Sequence, residues 1–183
     1  VSDLLQGVNL YLVGMMGAGK TTVGQLLARE LGYRFLDTDS LIEQSTGQSI
    51  REIFAKSGET AFRDLEAQVL AQLSEYTKLI IATGGGIVLR SLNWSYLHHG
   101  VVIWLDAPVE QLYDRLQDDT SRPLLQDPDP KAKLQAILDD RHPLYAQADL
   151  RIPIHRSDTP EDVSQRILSE LPNRLRSEGD RKV

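Results

Sequence analysis

The sequence predicts an α/β fold, a parallel sheet covered by helices on both faces. One observation behind this is a rhythm: short apolar runs alternate with helix-length amphipathic stretches, β-α-β-α, as crossover connections between parallel strands require. The other is the stretch Gly14-Met15-Met16-Gly17-Ala18-Gly19-Lys20-Thr21, which stands between the first apolar run and the first amphipathic stretch. A glycine-rich turn from strand into helix is where folds of this class bind phosphate. With 183 residues, 41% hydrophobic and 25% charged, the chain can bury one full core, so a single domain is expected over residues 1–183.

Strands are expected at residues 9–14, 34–37, 78–83, 101–106 and 150–154, each a short apolar run followed by loop signals or a helical pattern. Helices are expected at 20–31, 49–56, 59–76, 109–117, 131–146 and 160–175. The segment 118–130 is the least regular, with three prolines and a Ser/Thr/Asp cluster, and reads as a mobile loop over a site. Residues 174–183 are polar and read as a frayed tail. No internal repeat or interdomain linker is visible.

Composition narrows the function. The net charge of −6 and the absence of a basic block outside the tail disfavour nucleic-acid binding. No apolar run reaches the length of a membrane span, and the first residues lack the features of a secretory signal. With no cysteine there is neither a disulfide framework nor a thiolate metal site. The four histidines show no metal-ligand spacing, and Trp94 and Trp104 read as packing residues. A soluble cytoplasmic protein is expected, or one of the plastid stroma if a transit peptide has been removed.

The glycine stretch matches G-x-x-x-x-G-K-[ST], the loop that cradles nucleoside triphosphates. Its glycines let successive backbone N–H groups of Gly17, Ala18 and Gly19 turn inward as an anion nest, and the following helix aims its positive end at the same point. Lys20 reaches the outer phosphates, the Thr21 hydroxyl can ligate Mg²⁺, and Thr22 continues the helix N-terminus. A dinucleotide turn would need glycine where Met16 stands.

In open α/β sheets ligands gather beyond the carboxyl ends of the strands. The Asp37-Thr38-Asp39 stretch, read as extended chain, puts both carboxylates on one face; one could hold Mg²⁺ through water while the other orients or deprotonates a hydroxyl. Asp39 also fits a cap for a helix beginning near Leu41. Gly84-Gly85-Gly86 follows a strand and permits close backbone approach to a ligand, though a plain flexible turn needs the same glycines. Against the negative global charge, an anionic substrate depends on a few focused arginines. Arg63, held by Glu66 at the i,i+3 spacing, and Arg141, late on its helix, each offer a planar fork suited to a carboxylate. Arg122 lies in the irregular loop, where closure would bring it to the transferring phosphoryl group.

In order and spacing, residues 14–22, Asp37-Thr38-Asp39, Phe62-Arg63-Asp64-Leu65-Glu66, Gly84-Gly85-Gly86, Arg122-Pro123-Leu124-Leu125 and Arg141-His142-Pro143-Leu144-Tyr145 resemble the shikimate kinase family. The resemblance covers residues 8–171. It implies a three-layer α/β/α fold with a five-stranded parallel sheet, the P-loop NTPase type of the nucleoside monophosphate kinases. It also implies a substrate-binding subdomain over 37–66 and a lid over 117–130. The implied reaction is transfer of a phosphoryl group from ATP to the 3-hydroxyl of shikimate, on the way to chorismate and the aromatic amino acids, by a monomer using Mg²⁺. The implied roles are Asp39 as partner of the shikimate hydroxyls and base, Asp37 near the magnesium shell and Thr21 as its direct ligand. Arg63 and Arg141 would hold the shikimate carboxylate, and the backbone of Gly84, Gly85 and Gly86 would contact the ring hydroxyls. Lys20 and Arg122 would stabilise the moving phosphoryl group, and Arg115 would pack against adenine. The adenine contact near residues 156–158 is poorly matched. Other readings of the chain are a gluconate-type P-loop kinase and a non-catalytic relative that only binds.

Overall fold

The structure, a computed structural model, describes residues 5–117 and 128–179. Strands β1 (Leu10–Val13), β2 (Arg34–Asp37), β3 (Leu79–Ala82), β4 (Val101–Asp106) and β5 (Leu150–Pro153) form one sheet in the order β2-β3-β1-β4-β5. Every pairing is parallel. The three inner strands are almost wholly buried apolar runs, whereas β2 and β5 at the edges are only partly covered. That contrast is what a parallel sheet with helices on its faces demands of its sequence.

Helix α1 (Lys20–Leu31) starts at the glycine loop and buries Val23, Gly24, Leu27, Ala28 and Leu31, one stripe at helical spacing; Gly32, in the left-handed conformation, ends it. Two helices follow β2: α2 (Thr38–Thr46) and α3 (Ile50–Ser74). A capping box of Ser49 and Glu52 starts α3, and Gly58 interrupts it with φ of 81° and ψ of 174°. This break is where the sequence pattern separates two helices, at 49–56 and 59–76. Ile42, Ile53 and Phe62 form a small apolar cluster apart from the main core, shared by α2 and α3.

Beyond β3 come a short 3₁₀ turn (Ile87–Leu89) and α4 (Ser91–Leu97), neither of which the sequence pattern suggested. Helices α5 (Val109–Leu116), α6 (Pro130–Tyr145) and α7 (Pro160–Gly179) complete the layers, α1 packing on α7, α3 on α4 and α5 on α6. Residues 118–127 of the irregular segment, Arg122 among them, lie outside the described residues; its end is already helical, with Asp129 as the N-cap of α6 and Pro130 as its first residue. Among those described, no helix is long and apolar enough to cross a membrane.

Strand register decides where the chemistry collects. Leu12 of β1 and Asp37 of β2 both pair level with Ala82 of β3. The glycine loop after β1, the carboxylates after β2 and the glycine turn after β3 therefore leave the sheet at one level, at its carboxyl end. Thr83 fastens this edge by donating its hydroxyl to the carbonyl of Leu12, 2.9 Å away.

Candidate active site

The glycine loop leaves β1 with Gly14 at φ of 139°, where a Cβ would sit 2.6 Å from the carbonyl oxygen of Leu105, so only glycine fits against β4. Lys20 is held inside the loop, its Nζ donating to the carbonyls of Gly14 and Met15, each at 2.8 Å. The ammonium is thus aimed along the loop rather than into solvent, and its side chain is buried. Arg115 on α5 donates to the carbonyl of Gly17 at 2.9 Å. It flanks a cavity of about 300 Å³ that runs from Gly17 and Thr22 to Ile154, Asp158, Pro160 and Val163. Asp158 is occupied within its own loop: it accepts from the backbone N–H of His155 and from Arg166, whose hydrogen bonds hold its carboxyl below the usual range.

The carboxylates after β2 are not side by side on an extended strand. Asp37 ends β2 and is the N-cap of α2, accepting through Oδ1 from the backbone N–H groups of Asp39 and Ser40. Asp39 already lies in the first helical turn, so the cap is Asp37 and both extended-chain and Asp39-cap expectations are corrected here. The chain turns because a β-region cap must be followed at once by helical residues. Asp37 Oδ2 accepts from the Thr21 hydroxyl at 3.0 Å, which joins the start of α1 to the start of α2. Thr38, between the aspartates, is buried and accepts through Oγ1 from the N–H of Gly84.

Three close approaches centre on the glycine turn. A Cβ on Gly84 would lie 2.7 Å from Glu66 Oε1 and 2.9 Å from Asp39 Oδ1, and one on Gly86 would lie 2.5 Å from the Arg63 guanidinium carbon. No L-side chain could stand in either place without moving these charged groups. Arg141 Nη1 lies 3.4 Å from the corresponding point on Gly85. Thus Asp39, Arg63 and Arg141, drawn from three helices, converge on a stretch of bare backbone.

Their electrostatics are set by Glu66, which is fully buried. Arg63 donates to Glu66 Oε2 and to the exposed Glu59. Burial, and after it the negative charge of Asp39, pushes the Glu66 carboxyl up, while Arg63 and Arg141 oppose the rise. Burial works against charge on Arg63, but Glu66 and Glu59 outweigh it and raise its pKa. A guanidinium that is 12% exposed and pinned on one edge by a buried carboxylate is pre-organised to receive an anion on another. On the outer face of α3, Asp64 takes Arg90 Nη1 at 2.6 Å and braces the helix against the segment after the glycine turn.

A family model described as "Shikimate kinase" matches residues 16–172. A shikimate kinase of Nostoc sp. is 62% identical over 176 residues, covering 96% of this chain and 97% of its own length. That of Nostoc punctiforme is 59% identical over the same length. The chain belongs to the shikimate kinase family. Among solved structures, a shikimate kinase from Acinetobacter baumannii in complex with shikimate is 42% identical, with a TM-score of 0.88 over 94% of this chain and 98% of that one. A gluconokinase from Sinorhizobium meliloti, at 14% identity and a TM-score of 0.59, shares the fold alone.

In this member of the shikimate kinase family, Lys20, Thr21 and Asp37 meet at one end of the site, and Asp39, Arg63, Arg141 and Gly84 to Gly86 at the other. Arg115 borders the cavity beyond the loop, together with Ile154, which in the sequence reads as the end of a buried strand, and Pro160, which reads as a helix start; neither carries a local mark of a ligand site. Thr38 was missed for a different reason. Its hydroxyl bonds a partner 46 residues away, and only the fold brings the two together.

Proposed function

We propose that this chain transfers the γ-phosphoryl group of ATP to the 3-hydroxyl of shikimate, giving shikimate 3-phosphate and ADP. The observation that carries the reading is the convergence of Asp39, Arg63 and Arg141 on the glycine turn, one strand away from a phosphate loop. Two arginines and a carboxylate suit an acceptor that bears both a carboxylate and hydroxyls. A phosphate-bearing acceptor would have no use for Asp39 beside its anion.

ATP lies with its phosphates on the nest of Gly17, Ala18, Gly19 and the start of α1, and with its adenine in the cavity between Arg115 and Pro160. Lys20 exchanges its loop carbonyls for phosphate oxygens, moving a charge that the loop already holds nearby. Mg²⁺ fits the pair formed by the Thr21 hydroxyl and the Asp37 carboxylate, and bound there it would supply charge neutralisation across the phosphates. Arg63 and Arg141 grip the acceptor carboxylate, and the glycine backbone lets the ring approach Asp39. Asp39 accepts the proton of the hydroxyl as that oxygen forms its bond to the γ-phosphorus, while the bond to the β,γ-bridging oxygen breaks and ADP leaves. Arg122, from the loop, meets the charge that spreads over the moving group. Phosphoryl transfer asks mainly for positioning and charge stabilisation, and these residues supply both.

The test is ADP release with ATP and Mg²⁺ in the presence of shikimate, gluconate or AMP. Release dependent on shikimate and on neither of the others is expected. Release dependent on gluconate instead would replace this reading with a sugar-acid kinase.

A further inference from the structure

The two halves of the acceptor site come from distant parts of the chain, and a single phenol stands between them. Tyr145 ends α6, is fully buried, and donates its hydroxyl to the carbonyl oxygen of Gly85 at 2.6 Å. Arg141, one helical turn earlier, brings its Nη1 to 3.4 Å from where a Cβ on Gly85 would stand, beside the same peptide that takes the phenol proton. Burial raises the phenol's pKa, and the charge and hydrogen bonding of Arg141, then the charge of Arg63, oppose that rise. A phenol has one proton to donate and lone pairs to offer. Committing the proton to Gly85 turns the lone pairs toward the guanidinium.

We propose that Tyr145 is a positioning residue for the acceptor, fixing through one hydroxyl both the middle of the Gly84–Gly86 turn and the guanidinium of Arg141. The ring is seated for this purpose on Trp104 of β4, with centroids 5.7 Å apart and planes 24° from parallel, and the His142 ring stands at 85° to the same indole with centroids 5.0 Å apart. The phenol is therefore anchored to an inner strand of the sheet. It reaches the turn after β3 from α6 and so ties α6, β4 and that turn to one point. Arg141 then need not be ordered by the substrate, which saves entropy on binding. The inference rests on the acceptor reading given above.

Tyr145→Phe keeps the ring and removes the hydroxyl. The expected result is a rise of about tenfold in KM for shikimate, with KM for ATP within twofold of the parent and kcat lowered by less than about threefold, because an interaction made equally before and during transfer affects KM alone. Trp104→Phe, which trims the seat but leaves the hydroxyl, should shift KM for shikimate by less than Tyr145→Phe even if it melts at a lower temperature. In the Arg141→Ala background, Tyr145→Phe should raise KM by a smaller factor than in the parent, since part of its effect acts through Arg141. An unchanged KM for shikimate in Tyr145→Phe overturns the proposal, whatever the melting temperature does. So does an equal rise in KM for ATP and shikimate, the mark of general loosening. If the parent protein does not phosphorylate shikimate at all, it is the acceptor reading that fails.

Discussion

Replacing Arg63 by alanine should separate what that residue does for the fold from what it does for the acceptor. Its guanidinium bonds the buried Glu66 and the exposed Glu59. The pair with Glu59 is screened by water and contributes little. Glu66 has no route to solvent, and removing one partner of a buried pair costs about 3–5 kcal/mol when the charge left behind stays ionised. Glu66 avoids part of that cost by taking up a proton, so a loss of about 2–3 kcal/mol at pH 8 is expected.

The sign of the pH dependence follows from the raised Glu66 pKa. The native protein keeps a proton that the unfolded chain releases above its ordinary value of 4.5, so stability is fullest below that value and falls as pH rises toward the folded value. Arg63 opposes the rise, and without it the window extends upward. The deficit of Arg63→Ala relative to the parent should therefore be smallest near pH 5 and grow toward pH 8. For the acceptor, a hydrogen bond to a charged group is worth about 1.5–3 kcal/mol, which corresponds to a roughly 10- to 150-fold weaker affinity for shikimate. The double variant Arg63→Leu/Glu66→Leu should regain most of the stability, since an apolar pair can replace a buried ion pair, and none of the affinity. Urea unfolding at both pH values and calorimetric titration with shikimate measure the two effects. Parent-like shikimate affinity in Arg63→Ala would refute the clamp, and a deficit that does not shrink in acid would refute Glu66 as the group left uncompensated.

Gly84→Ala should lower kcat/KM for shikimate by about 5- to 150-fold, because its Cβ displaces Asp39 and Glu66 at a site where overpacking costs about 1–3 kcal/mol; steady-state kinetics read this directly. Asp37→Asn keeps an oxygen to cap α2, so the melting temperature should move little, while the Mg²⁺ concentration for half-maximal activity rises about tenfold, as found when groups around a metal lose charge or orientation. Arg122→Ala should leave shikimate affinity within about twofold and lower kcat at least about a hundredfold, the scale of losing one donor to transition-state charge; unchanged turnover would remove Arg122 from the catalytic set.

Legibility in the sequence followed the range of the interactions. Strands β2 and β4 and helix α1 match the sequence pattern residue for residue, because their apolar periodicity and flanking glycines are local signals. The phosphate loop is legible for the same reason, since strand, nest and helix are contiguous. Helix α4 escaped notice because its seven residues are too few to show a period and no side chain caps its start. Around Asp37 the period-two alternation of an extended strand stops at the end of β2, where a capping aspartate switches the backbone to helix without an intervening loop. The contacts that shape the acceptor site, Thr38 to Gly84 and Tyr145 to Gly85, join residues 46 and 60 apart and depend on strand order. Glu66 was legible as the i,i+3 partner of Arg63, but nothing local marks it as fully buried.

If Asp39 is the base for transfer to shikimate, Asp39→Asn compared with the parent in shikimate-dependent ADP release, together with ATP affinity, should reveal it at the reacting atom. kcat should fall at least about a hundredfold, the lower end of what general-base removal costs, while ATP affinity stays within twofold. An asparagine variant that turns over shikimate within about tenfold of the parent would take the base role away from Asp39.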